Sequence, residues 1–138
     1  MPEQELDLEE LCEANPLYLV LKVREAYLDS SRDCVRLVAN PSQDYAWIHG
    51  GVHGGYISAL TILASELAAS SSVGGDVLLV GVESSIIFLR QVEVPNVIEV
   101  QSCVSYRTQR IIGVESSVRC GGHEIAKGIT MFLVEERG

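Results

Sequence analysis

The fold is decided by residues 47–71, which read WIHGGVHGGYISALTILASELAASS. His-Gly-Gly occurs twice in this stretch, directly before the one long helical pattern of the chain, which we expect to run from about Gly54 to Ser71. Its predicted buried face carries Tyr56, Ile57, Leu60, Leu63, Ala64, Leu67 and Ala68. Its predicted opposite side carries Ser58, Ile62, Ser65 and Ala69, with Glu66 at the edge. Small residues dominate throughout, which indicates a helix closely surrounded by other structure.

The residues on both sides of this helix have the composition of β-strands. Two strands are expected before it, at 17–28 and 34–39, and four after it, at 77–89, 97–108, 111–120 and 124–134. Within 111–120, Val114, Ser116 and Val118 alternate with polar residues, so one face of that strand should be buried and the other wet. One helix with this many strands predicts an α+β fold in which an antiparallel sheet curls around the helix.

Length and charge limit the possible classes of protein. The chain has 138 residues, which suits a single domain spanning 1–138. Ten Lys and Arg against nineteen Asp and Glu give a net charge of −9, which argues against nucleic-acid binding and against an anionic membrane surface. The acidic segment 1–13 supplies much of that charge and should form a short helix over 6–13.

The sequence also predicts a compartment. The acidic start lacks the features of a secretory signal, and no run of about eighteen apolar residues could span a membrane. The four cysteines, Cys12, Cys34, Cys103 and Cys120, lack the spacing of a metal site. We therefore expect a soluble cytoplasmic protein with free thiols and no bound metal.

The paired glycines suggest chemistry at the helix start. Glycine lets the backbone approach a ligand closely, and the first turn of a helix offers unpaired N–H groups and the positive end of the helix dipole. Together they could hold a carbonyl oxygen as it becomes an oxyanion. The alternative is a simple turn that leads a loop into a helix, with packed histidines.

Several motifs together resemble a known family. They are NPLY (15–18), NP (40–41), HGGYISAL (53–60), GVESSIIFLR (81–90) and AKGITMFLV (126–134). In this order they resemble the hotdog-fold acyl-CoA thioesterases of the PaaI-like, phenylacetate-pathway type. The resemblance implies a central helix wrapped by an antiparallel sheet, a dimer with one continuous sheet and often a tetramer. It also implies active sites shared between subunits.

The resemblance assigns roles to residues at the helix start, and at one position this sequence differs from the family pattern. His53 and Gly54 match the family's HGG, whose backbone N–H after the histidine polarises the thioester carbonyl, with Gly55 beside it. A carboxylate about two and a half turns of ~3.6 residues further on acts as base or nucleophile. In this sequence that position is Ile62, or Ser58 if His49 is the matching histidine. Glu66 is the only carboxylate in the helix, and we expect it to take this role or to be an exposed or paired surface charge.

Further residues are candidates for substrate binding. A hydroxyl on the strand after the helix holds water in related thioesterases, which implicates Ser84 or Ser85, and strand-end arginines could meet the phosphates of coenzyme A. The candidate set is His49, Gly50, Gly51, Ser58, Ile62, Ser84, Ser85, Arg90 and Arg110.

The function expected from these features is hydrolysis of an acyl-CoA thioester without metal or redox cofactor, by a protein that self-associates as a dimer or tetramer. The sequence leaves two alternatives open. One is a hotdog protein that binds acyl-CoA without turnover, which the missing acid favours. The other is a hydratase or dehydratase of acyl thioesters, for which His53 and Glu66 have loosely the right order.

Overall fold

A computed structural model of the protein describes residues 3–47, 49–94 and 96–136. Three α-helices occur in these residues: α1 (Leu8–Ala14), α2 (Leu17–Val20) and α3 (Gly54–Ser71). The strands are β1 (Gln4–Glu5), β2 (Val23–Asp29), β3 (Cys34–Ala39), β4 (Val77–Phe88), β5 (Ile98–Arg107), β6 (Ile111–Cys120) and β7 (His123–Glu136). They form one antiparallel sheet in the order β1-β2-β3-β5-β6-β7-β4.

The sheet packs around α3, as the α+β prediction requires. This helix contacts β3, β4, β5, β6 and β7, and Leu60, Leu63 and Ala64 are almost completely buried between them. The predicted bounds of α3, β3 and β6 match the structure. The alternation within β6 is also confirmed, since Val114, Ser116 and Val118 are buried.

One detail of the predicted helix surface is wrong. Ser65 and Ala69 are expected on the side opposite the buried face, yet both are fully buried. The sheet surrounds α3 more completely than a surface helix would be surrounded, so small residues on its second side also pack against strands. Part of α3 stays open to solvent as a stripe at i, i+4 spacing, in which Ser58 and Ile62 are half-buried and Glu66 and Ser70 are exposed.

A chain of buried hydroxyl groups joins α3 to the sheet. The Ser65 hydroxyl donates to the Thr61 carbonyl at 2.8 Å, and its oxygen lies 3.1 Å from that of Ser116 on β6. The Ser116 hydroxyl in turn lies 2.6 Å from that of Ser102 on β5. Each group is satisfied only by its neighbours, so the chain fixes the rotation of α3 relative to the sheet.

The prediction of a strand over 17–28 is wrong for its first residues. Residues Leu17–Val20 form α2, and β2 begins only at Val23. The Asn15 side chain accepts a hydrogen bond from the Leu17 N–H at 3.0 Å and so starts a helical turn next to Pro16. Lys22 then adopts a left-handed backbone conformation, with φ of 61°, which ends the turn.

The expectation of free thiols is wrong for two of the four cysteines. Cys34 on β3 and Cys103 on β5 are directly opposed in the antiparallel pairing and form a disulfide. They are 69 residues apart in sequence, so only the strand pairing brings them together. Cys12 and Cys120 are free.

The strand β4 forms one edge of the sheet, paired with β7 on one side only. Its twelve residues contain a single charge, at Glu83, and they present apolar side chains to solvent. Val82 is 55% exposed and Ile87 62% exposed, and Leu89 just beyond the strand is 53% exposed. An apolar edge of this length is a surface that pairs readily with another strand.

We predict that Ser116→Ala destabilises the protein by about 1–3 kcal/mol, because it leaves the buried Ser102 hydroxyl without a partner. Chemical denaturation measures this change. The double variant Ser102→Ala/Ser116→Ala should lose less than the sum of the two single variants, since it removes both ends of one hydrogen bond. Additive losses would show that the two hydroxyls are not coupled.

Candidate functional site

The loop before α3 is closed by short backbone hydrogen bonds. The Trp47 N–H donates to the Gly51 carbonyl and the Gly50 N–H donates to the Trp47 carbonyl, both at 2.8 Å. Gly50 has a φ of +91°, which side-chain-bearing residues rarely adopt. Gly51 is needed for a different reason, since a Cβ there would lie 2.6 Å from Trp47 Nε1. The first His-Gly-Gly is thus a tight turn that leads to the second.

His53 is the N-cap of α3. Its Nδ1 accepts a hydrogen bond from the Gly55 N–H at 2.8 Å, and its own N–H donates to the Tyr45 carbonyl at 2.7 Å. The side chain therefore satisfies one of the unpaired donors at the start of the helix. Of the two amides predicted to face a ligand, the one at Gly55 is already engaged.

The Gly54 amide remains open. No described residue accepts a hydrogen bond from its N–H. A Cβ on Gly54 would lie 3.3 Å from Phe88 Cζ, so the glycine allows the aromatic ring to approach the helix start. The result is an N–H without an acceptor in the described part of the protein, at the positive end of the α3 dipole.

This amide opens into a cleft between the helix start and the segment that follows β4. The cleft has a volume of about 320 Å³, and its lining includes Arg90 and Gln91. Its other lining residues are apolar or glycine: Val52, Gly54, Ile57, Phe88, Leu89 and Val92. A second hollow of about 310 Å³ borders the same glycine and is lined by Trp47, Val52, His53, Gly54 and Gln91.

The structure brings several predicted site residues together here. His53, Gly54 and Gly55 form the helix start, and Arg90 lines the cleft beside Gly54. His49 is exposed, and its ring lies against that of Trp47 with 4.3 Å between the ring centroids.

Other predicted residues lie elsewhere in the protomer. The Ser84 hydroxyl lies 3.0 Å from that of Thr130, a buried residue, whereas Ser85 projects from the opposite face of the sheet because neighbours in a strand alternate. Arg110 lies in the β5–β6 turn, at the far end of the sheet from the segment after β4.

Glu66 is also distant from Gly54 within one protomer. Twelve residues of helix separate the two, which places them roughly 18 Å apart along the axis. Glu66 borders a different hollow, of about 270 Å³, together with Leu11, Tyr18 and Leu79. Partial burial raises the pKa of its carboxyl above the ordinary value.

Comparison with known proteins places this site in a family. A sequence model described as the Thioesterase superfamily matches residues 49–127, from the first His-Gly-Gly to β7. The chain belongs to the Thioesterase superfamily. No match is found among curated proteins.

Solved structures of the hotdog thioesterase type share the fold. A thioesterase from Haemophilus influenzae superposes with a TM-score of 0.84 at 18% identity, covering 96% of this chain and 93% of the other. A mutant of the phenylacetic acid degradation protein PaaI from Thermus thermophilus gives 0.77 at 18%, covering 86% and 98%. A Streptococcus mutans protein bound to acetyl CoA gives 0.69 at 23%, covering 78% and 86%. The predicted hotdog fold is thereby confirmed.

Sequence reasoning missed part of the thioesterase-family cleft. Gln91 and Val92 line it because the Val52 N–H donates to the Val92 carbonyl at 2.8 Å, and Gly51 forms a β-bridge with Glu93. Phe88 and Arg90 lie within a motif that carries the family resemblance, but nothing in the sequence indicates that Trp47 lines a hollow. Among the described residues, no helix has the length and hydropathy to cross a bilayer.

We predict that Glu66→Gln raises the melting temperature at pH 7 and leaves it unchanged near pH 4. Burial raises the pKa of the folded-state carboxyl, so the charge on Glu66 opposes folding once the pH exceeds its ordinary pKa of 4.5. Glutamine mimics the protonated form at every pH. Calorimetry across this range measures the effect, and a lower melting temperature at pH 7 would mean that a cation partners Glu66.

Proposed function

We propose that the protein hydrolyses an acyl-CoA thioester in the cleft beside Gly54. The observation that carries this proposal is the open Gly54 N–H at the start of α3, next to a cleft with apolar walls and one arginine. Membership of the Thioesterase superfamily supports it, as does the acetyl CoA bound to a neighbour of the same fold.

The Gly54 amide supplies the oxyanion contact. The thioester carbonyl accepts its hydrogen bond, and the developing negative charge is stabilised by the helix dipole as water attacks the carbonyl carbon. His53 contributes by capping the helix, because its Nδ1 holds the Gly55 amide and so fixes the first turn. The carbon–sulfur bond then breaks, and coenzyme A and a carboxylic acid are released.

The cleft provides for both parts of the substrate. Ile57, Phe88 and Leu89 offer an apolar surface for the acyl group, and Arg90 at the cleft can pair with a phosphate of coenzyme A. Since water is the nucleophile and the carbonyl is polarised by an amide, the reaction needs no metal or redox cofactor.

We also propose that two copies of the chain pair through β4. Antiparallel pairing of this edge with its own copy would continue the sheet across the molecule, satisfy the free backbone groups and cover Val82, Ile87 and Leu89. A second copy is the natural occupant because antiparallel pairing of an edge strand with its own copy is self-complementary.

This pairing supplies the carboxylate that one protomer lacks near Gly54. Phe88, at the end of β4, contacts Gly54, while the start of β4 lies near the C-terminal end of α3. An antiparallel β4–β4 pair therefore sets the C-terminal half of one α3 beside the cleft of the other protomer. In this arrangement Glu66 of one subunit acts as general base for a thioester held at Gly54 of the other, and its raised pKa suits that role.

Binding without turnover is the second candidate. Ile62 stands where the family pattern has its acid, and the open stripe of α3 holds no carboxylate before Glu66. A regulatory or carrier protein would keep the amide and the cleft and need no base.

The compartment proposed for this reaction is the cytoplasm. The Cys34–Cys103 disulfide is the observation that counts against it, because structural disulfides are rare in reducing compartments.

The mechanism is tested by Gly54→Pro, which removes the N–H itself at the first helical position, where proline is well tolerated. His53 already has φ −64° and ψ 135°, which suit a residue before proline. Gly54→Ala is the matched control, since it adds the same Cβ near Phe88 and keeps the N–H. We expect kcat for thiol release from an acyl-CoA panel to be about 10²–10³-fold lower in Gly54→Pro than in Gly54→Ala.

Other results of this assay would exclude parts of the proposal. Equal rates in the proline and alanine variants would remove Gly54 as oxyanion donor, and full activity in Glu66→Gln would remove Glu66 as base. Tight binding of acyl-CoA by the wild type with no thiol release would establish the binding candidate. Loss of enoyl-CoA absorbance without thiol release would instead establish a hydratase.

The dimer is tested by Val82→Lys, which places a charge in the proposed β4–β4 pairing. Analytical ultracentrifugation should give a dimer for the wild type and a smaller species for the variant. Gln101→Lys, a similar change at an exposed position on central strand β5, should leave the dimer intact. A wild-type monomer, or a Val82→Lys dimer, would rule out this interface.

A further inference from the structure

The indole N–H of Trp47 is a buried donor without an acceptor. In the part of the chain that the structure describes, Trp47 Nε1 and Asn40 Oδ1 are the buried side-chain polar atoms that lack a hydrogen-bond partner. The large majority of such groups in proteins are satisfied, and an unsatisfied one costs folding free energy. Such a donor can bind an acceptor on a ligand that displaces the group covering it.

The surroundings hold the indole in place. The backbone of Trp47 makes two hydrogen bonds within the tight turn, and its ring packs edge-on against the His49 ring. Nε1 lies above Gly51, where a Cβ would be 2.6 Å away, and the Gln91 side chain lies over the same glycine. A side chain on Gly51 would collide with both groups, so the glycine lets the indole and the Gln91 side chain pack against the backbone, and Gln91 covers the space next to this N–H.

The same ring borders the hollow that contains Gly54. Gly51 and Gly54 are three residues apart in the chain, a separation of at most roughly 10 Å. A single ligand can therefore place one oxygen near Nε1 above Gly51 and its carbonyl oxygen at the Gly54 amide. The hollow of about 310 Å³ has room for both ends of a small ligand fragment.

We propose that the indole N–H of Trp47 donates a hydrogen bond to a second oxygen of the bound thioester, and that this contact positions the substrate along the hollow between Trp47 and Gly54. The proposal rests on the proposed function, because it uses the thioester at Gly54. The exposed Gln91 side chain, which makes no hydrogen bond with any described residue, moves aside when the ligand oxygen arrives.

Two parts of an acyl-CoA carry an oxygen at a suitable separation from the thioester carbonyl. One is the amide of the pantetheine arm closest to the sulfur, and the other is a hydroxyl or keto oxygen on the acyl group. Both are oxygen acceptors of a hydrogen bond. The geometry therefore predicts the type of contact, and the experiment identifies which oxygen of the ligand makes it.

The test measures binding rather than turnover. Three ligands that cannot be hydrolysed are compared by calorimetry: S-(2-oxopentyl)-coenzyme A, its analogue with the first pantetheine amide replaced by CH₂–CH₂, and S-(4-hydroxy-2-oxopentyl)-coenzyme A. The protein is wild type, Trp47→Phe, and protein with benzothienylalanine in place of tryptophan. Because the sequence has one tryptophan, the last substitution changes only this N–H, which becomes sulfur.

Loss of the hydrogen bond should raise Kd by about 3- to 10-fold in both modified proteins. If the amide is the acceptor, the loss appears with the first ligand and vanishes with the analogue that lacks the amide. If the acyl group supplies the acceptor, the loss appears only with the hydroxylated ligand. Melting temperature should not fall with benzothienylalanine, because the free protein has no hydrogen bond to lose and an unsatisfied buried donor is removed.

Two results would overturn the inference while leaving the proposed function intact. They are an equal loss of affinity for all three ligands, and no loss for any of them. If the wild type binds none of the three, both the inference and the proposed function fail.

Discussion

The structure depends on how the N-terminus of one buried helix, α3, is capped. The sheet covers most of α3, and solvent reaches the helix at its first turn, along one open stripe and at its last residues. His53 caps that turn by accepting from Gly55, and the cap stabilises the helix start while leaving the neighbouring amide at Gly54 unpaired. A serine or aspartate cap would satisfy similar donors. What the histidine adds here is a bulky ring beside the cleft.

The parts of the fold that sequence reasoning predicted are those where one residue pattern has one physical solution. The residues of 54–71 were predicted to form a helix because their apolar side chains recur at i, i+3 and i+4, and the structure confirms this. β6 followed from the alternation of Val114, Ser116 and Val118 with polar neighbours. The helical turn at 17–20 was missed because Tyr and Val favour strands, and the Asn15 contact that overrides this preference is local and specific. The Cys34–Cys103 bond was missed because it depends on the pairing of β3 with β5.

In the candidate site, too, some features could be predicted from the sequence and others depend on tertiary contacts. The His-Gly-Gly motif could be located from the sequence, because paired glycines stand directly before the one long helical pattern. The far wall of the cleft could not, since Gln91 and Val92 reach it through a backbone hydrogen bond to Val52. Glu66 shows most clearly what could not be predicted from the sequence. Sequence gives its place along α3, but whether its carboxyl meets the cleft depends on a second subunit, which no residue count within one chain reveals.

The line of hydroxyls through Ser65, Ser116 and Ser102 has a consequence for the evolution of this molecule. It locks the azimuth of α3 at mid-length, and the direction in which the first-turn amide points is set by that azimuth. Replacing one of these serines with alanine would let α3 rotate slightly about its axis within the sheet. The amide at the start of the helix would then point in a different direction. Substitutions at these three positions during evolution would therefore change the direction of the first-turn amide from a distance of about two to three helical turns, without any substitution in the first turn itself.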